Sequence, residues 1–90
     1  MFLKLTILFG FMENDSVEKI SESFANFLKS GEETVLLNVD CIHSITPVKK
    51  EKMAINLTSD VSLVKYRTLQ GTIRCIVVRE SFEELESRLV

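Results

Sequence analysis

Glycine is scarce in this sequence, with three residues scattered at positions 10, 31 and 71. None of them clusters into a phosphate-cradling loop, so a Gly-rich nucleotide motif is excluded. Histidine is scarcer still, because His43 stands alone. A zinc site would then need thiolates, and Cys41 is the only one near it in the sequence. The two cysteines, Cys41 and Cys75, are too few for a disulfide-stapled secreted scaffold. Each lies in an apolar run and reads as a reduced, buried thiol, with a bridge between adjacent strands as the less favoured alternative. A basic excess is missing too: the formal net charge is −2 and the pI about 5.4. Phosphate contacts supply most of a nucleic-acid binder's affinity, so that class is disfavoured.

No long hydrophobic run is present either. The opening stretch, MFLKLTILFGFM, falls well short of the roughly 20 apolar residues that span a bilayer. Glu13, Asn14 and Asp15 follow it instead of a small-residue cleavage site. It reads as a buried strand of a cytoplasmic protein with no membrane attachment.

Apolar residues make up 46% of the chain and charged residues 27%, a mix that folds into a globule. Ninety residues suffice for one domain, 1–90, near the small end of what folds alone. The densest β-forming stretch is TVLLNVDCIHSIT, residues 34–46. Val35, Leu36, Leu37 and Val39 leave neither face polar, which predicts a central strand over 34–39. Residues 41–45 continue it after a kink at Asp40, and Pro47 is expected to stop any ladder.

Strand signals recur around this stretch. Residues 2–8 place Lys4 and Thr6 between apolar neighbours, with Gly10 ending or bending the strand. The alternation of Met53, Ile55 and Leu57 predicts a third strand over 53–58, and residues 61–67 a fourth. Gln70-Gly71 signals a hairpin turn, with Gly71 free to take positive φ. The fifth strand, 72–78, has Ile73, Cys75 and Val77 on one face and Arg74, Ile76 and Val78 on the other.

Two helices complete the reading. Val17, Ile20, Phe24, Phe27 and Leu28 form one apolar stripe over 14–31, read as core-facing. Asp15 with Glu18 suggests its capping box, and Gly31 its C-terminal stop. Ser81 with Glu84 suggests a second box, opening a short helix that carries Phe82, Leu85 and Leu89 on one face.

The chemistry is sparse. Cys41 and His43 are two apart, so on a strand they would point the same way. No third group is visible to complete a metal site or a nucleophile, and a core thiol beside a half-exposed histidine is the commoner arrangement. No catalytic, metal or cofactor residue is assigned, and no cofactor is expected. Lys65, Arg67, Arg74 and Arg79 offer a candidate basic strip around the last hairpin, although a solvated sheet face is the commoner explanation for them. The acidic run Glu80, Glu83, Glu84 and Glu86 falls on a helix that needs a polar face.

Leu37, Asn38, Asp40, Ile42 and Ile45, together with Val78, Arg79, Glu80, Ser81 and Glu84, are similar to short motifs of the small bacterial FlbD-type flagellar proteins. The resemblance covers about half the chain and implies a compact, strand-rich module with a terminal helix and no catalysis. This chain adds the helix over 14–31 and lengthens the last hairpin. The helix–strand segment from Phe27 through residue 46 also resembles STAS-type domains. That second resemblance implies a helix, rather than a strand, over 48–57, with Pro47 at its start.

The expected architecture is α+β: an antiparallel sheet of four to five strands packed against one long helix and a short C-terminal helix. The expected function is a non-enzymatic protein-interaction or regulatory module that self-associates, as a symmetric dimer. Two helices cover about one face of such a sheet, which would leave Leu36, Ile76 and Val78 as a candidate interface. A sheet rolled into a small closed barrel would instead hide both apolar sets inside. The alternatives are a nucleic-acid-binding module using the last hairpin, or a STAS-like regulatory domain.

Overall fold

A computed structural model describes residues 1–53 and 56–89 of the chain. Five strands form one fully antiparallel sheet: β1 (Phe2–Met12), β2 (Glu33–Asn38), β3 (Ile42–Val48), β4 (Val61–Arg67) and β5 (Ile73–Val78). Helix α1 (Val17–Ser30) joins β1 to β2, and α2 (Phe82–Leu89) follows β5. The expected α+β class holds.

The spatial order is β2-β1-β5-β4-β3. Thus β2 and β3 lie at opposite edges, yet only the short 3-10 turn Val39–Cys41 separates them in the chain. Laid flat, the outer strands of five would be about 19 Å apart. Four residue steps, from Asn38 to Ile42, reach roughly 14 Å even when fully extended. The sheet therefore has to curl until its two edges approach at this corner.

Strand β1 makes the curl possible. It is eleven residues long, and its first half pairs with β2 while its second half pairs with β5. The β5 register shifts between Ile7 and Phe9, and such irregularities bend strands and increase twist. Gly10 neither ends nor begins the strand. It sits opposite Ile76, where an added Cβ would lie 3.0 Å from both Ile76 Cγ2 and Arg74 Nη2. Glycine is needed there for close approach.

Curling gives the sheet an inside. Leu3, Leu5, Val64, Ile76, Val78 and Leu85 form the buried cluster, with Val35, Leu37, Ile42, Ile45 and Tyr66 packed around it. All five strands and α2 contribute. Leu85, fully buried, is the one side chain that α2 sends into this core. A smaller cluster lies on the outer face, where Leu8, Val61 and Val77 meet Phe9, Phe27, Val48, Met53 and Leu57.

Several expectations are corrected. β2 is an edge strand, not a central one, because only β1 pairs with it. Pro47 does not stop the ladder: it lies within β3, opposite Ser62. An edge strand tolerates proline because one side of its backbone has no ladder to feed. The third strand comes from residues 42–48 rather than 53–58. Met53, Asn56, Leu57 and Thr58 adopt no strand, while Ala54 and Ile55 lie outside the described residues, as does Val90. Nor is there an α-helix among the described residues of 48–57, the conformation the STAS resemblance implies. Val48 ends β3 and Lys50–Lys52 form a single 3-10 turn.

The helix ends follow local chemistry, with one shift. Ser16, not Asp15, caps α1, its Oγ accepting from the Lys19 amide at 3.3 Å. Asp15 instead accepts from the Met12 amide at 2.9 Å and secures the end of β1. Gly31 takes φ 81° and donates to the Phe27 carbonyl, closing the helix. Ser81 caps α2 by accepting from the Glu84 amide at 3.2 Å. The Glu84 carboxylate turns away from the cap to Arg88, 3.6 Å distant, so only half of the expected box forms. Gly71, at φ 83°, completes the β4–β5 hairpin as its sequence signals.

Candidate interaction surface

The residues proposed as an interface separate. Ile76 and Val78 are 1% and 0% exposed, inside the curled sheet, and offer nothing to a partner. Leu36 is 68% exposed on β2. The reason is the curl: the face that would have stayed bare on an open sheet becomes the core.

Leu36 has apolar company. On β1–β2, Phe2 stands opposite Asn38, and Lys4 opposite Leu36. Phe2 and Leu36 are therefore diagonal neighbours on the outer face, close enough for an aromatic side chain to reach. Phe2 is 65% exposed, and the adjoining Met1 is also open. The apolar corner formed by Phe2 and Leu36 borders the free edge of the sheet.

The edge itself has a readable polarity. The Thr6 amide donates to Glu80 Oε1 at 2.8 Å, and the Thr6 carbonyl accepts from the Arg79 amide at 2.9 Å. Thr6 therefore turns its backbone toward the β5 side. Backbone groups alternate sides along a strand, so Leu3, Leu5 and Ile7 bond to β2, opposite Leu37, Val35 and Glu33. It follows that Thr34, Leu36 and Asn38 turn their N–H and C=O groups outward, away from β1.

Helix α1 presents a second apolar area. Its stripe faces β1 as expected, with Phe24 edge-on to Phe9 at 5.3 Å between ring centroids. Yet no residue of α1 is fully buried, and Val17 and Leu28 are exposed. Phe9, Ile20, Phe24 and Met53 line an open cleft of about 290 Å³ between α1 and the Lys50–Lys52 turn.

The basic residues do not form a strip. Tyr66 lies opposite Arg74, and Lys65 opposite Cys75, which puts Arg74 on one sheet face and Lys65 and Arg67 on the other. Lys65 is also paired with Glu13 at 3.7 Å, and Arg79 with Glu32.

Cys41 and His43 do meet at one cleft, of about 260 Å³, with Asp40, Arg67, Thr68 and Leu69. They reach it from different elements, since Cys41 closes the 3-10 turn and His43 sits where the β3–β4 register shifts. Among the described residues no group of three His, Cys, Asp or Glu side chains is arranged to hold a metal. Both cysteines are free. Burial pushes the Cys75 thiol above its ordinary pKa, against the opposing pull of nearby Lys65.

The acidic run divides as well. Glu80 precedes α2 and binds Thr6, while Glu83, Glu84 and Glu86 stay exposed on the helix. Among the described residues no helix is long and apolar enough to cross a membrane. No family model, curated protein or solved structure matches this chain.

Proposed function

We propose that this protein is a non-catalytic interaction module that self-associates through the β1–β2 corner. The carrying observation is an edge strand, paired on one side only, whose central side chain, Leu36, is 68% exposed. A small protein that leaves an apolar corner beside unpaired backbone groups gains by covering both. A two-fold pair is the commonest way for a soluble chain to do so. The reading agrees with the compact, non-catalytic module that the FlbD-type resemblance implies.

Sedimentation equilibrium at tens of micromolar tests it. A dimer is expected, and Leu36→Lys should return the protein to a monomer without unfolding it, because the side chain already faces solvent. A wild-type monomer of one chain's mass defeats the proposal. Titration with random duplex DNA at ~150 mM salt addresses the alternative. Low-micromolar binding there would favour a nucleic-acid role instead, despite the division of the basic residues between two faces.

A further inference from the structure

We infer that self-association proceeds by antiparallel pairing of β2 with the β2 of a second copy, on a two-fold axis at Leu36, so that two sheets become one of ten strands. The inference rests on the self-association proposed above and specifies its partner and geometry. Four features of the edge support it.

The outward backbone groups belong to Thr34, Leu36 and Asn38, a symmetric triad with Leu36 in the middle. Only a register centred on Leu36 engages all three, pairing Leu36 with itself and Thr34 with the partner's Asn38. Among the described residues, no backbone hydrogen bond from another part of the chain already occupies Thr34 or Leu36. The Thr34 and Leu36 groups are therefore available, and pairing would satisfy them.

The paired stretch is self-compatible. Residues 34–39, TVLLNV, carry no charge, so two antiparallel copies bring no like charges face to face. The two Leu36 side chains would meet on the outer face, each beside its own Phe2. On the inner face, Val35 would oppose the partner's Leu37 and extend the row that already packs against the core.

The assembly would also stop at two. The other edge, β3, contains Pro47, which has no N–H to offer a ladder, and α2 packs beside that strand. One open edge and one obstructed edge favour a closed pair over a growing fibre.

Residue-resolved amide hydrogen exchange on the wild-type protein, compared before and after strong dilution, is the test. Thr34 and Leu36 should exchange about tenfold or more slowly in the concentrated sample, while Val35 and Leu37, bonded to β1 in either state, stay unchanged. An alternate-residue pattern of this kind has no source in helix or side-chain contacts. A sedimenting dimer without that pattern overturns the strand pairing and leaves self-association standing. A monomer removes both.

Crosslinking checks the register in a Cys41→Ser background, where the remaining native thiol, Cys75, is 1% exposed. Directly opposed, hydrogen-bonded residues lie about 5.5 Å apart at Cα, within disulfide reach. Leu36→Cys should then form a covalent dimer under mild oxidation, and Thr34→Cys should not. Faster crosslinking at Thr34 than at Leu36 would overturn the Leu36 axis.

Discussion

The carboxylate of Glu80 holds Thr6 at two points. Oε1 accepts from the Thr6 amide at 2.8 Å, and Oε2 from its hydroxyl at 2.9 Å. The link spans most of the chain and fills the place where β5 has ended but β1 continues. The Glu80 carbonyl also accepts from Ser62, the one fully buried polar side chain among those described, at 2.8 Å. One residue thus ties β1, β4 and the entry to α2 together.

Glu80→Ala should therefore destabilise the fold by about 1–3 kcal/mol, because it leaves the Thr6 amide and hydroxyl without acceptors. Glu80→Gln keeps one acceptor and should lose less. Urea unfolding of the two variants checks the order, and equal stabilities would remove the Thr6 contact from the account.

Ser81→Ala should cost about 1 kcal/mol by removing the α2 cap. Glu84→Gln should cost a few tenths at most, since Glu84 only makes an exposed ion pair with Arg88. A thermal melt that ranks Glu84 above Ser81 would show that the carboxylate, and not the hydroxyl, holds the helix start.

Asp60 gives a pH dependence with a definite sign. Its carboxylate accepts from the Lys50 amide at 3.0 Å, which holds its pKa below the ordinary value; partial desolvation opposes this, and the nearby Lys49 ammonium assists. A depressed pKa means that the contact stabilises fully above about pH 4 and is lost as pH falls through the lower, folded value. The Lys50 amide resonance should titrate with a midpoint below that of an unperturbed aspartate. A midpoint at or above it would contradict the contact.

The thiols should react in sequence. Cys41 is half-buried beside an open cleft, whereas Cys75 is 1% exposed with its pKa raised. A thiol reagent at neutral pH should label one cysteine in the native protein and both in denaturant. Equal native labelling would mean that β5 opens far more readily than its central position implies.

Local signals in the sequence were legible, and the long-range geometry was not. Ser81, Gly31 and Gly71 act within a turn or two of their own positions, so their roles could be read directly. Pro47 and Asp40 look like breakers, and they concealed β3, because whether a strand tolerates proline depends on what lies beside it. The alternation of Met53 and Leu57 reports burial rather than extension: both pack on the outer cluster without joining the sheet. The apolar faces of residues 34–39 and 72–78 are alike in sequence. Only the curl decides that Ile76 lies inside while Leu36 stays out, and the curl depends on the bend in β1 and the short corner after Asn38. Of the three residues the sequence offers as an interface, only Leu36 therefore reaches the surface.

Strand order also governs how the molecule is made. β1 and β2 emerge early during synthesis, and β3 with β4 can form a hairpin soon after, but beyond the short turn between β2 and β3 no strand ladder joins the two pairs until β5 lies between them. Until then the apolar strands of both halves lack Ile76 and Val78, which complete the core they pack against. Closure awaits the last strand, and contacts of such large sequence separation form slowly. Chains in which β5 is weakened should thus fail during production, as aggregates, before any loss is measurable in the finished fold.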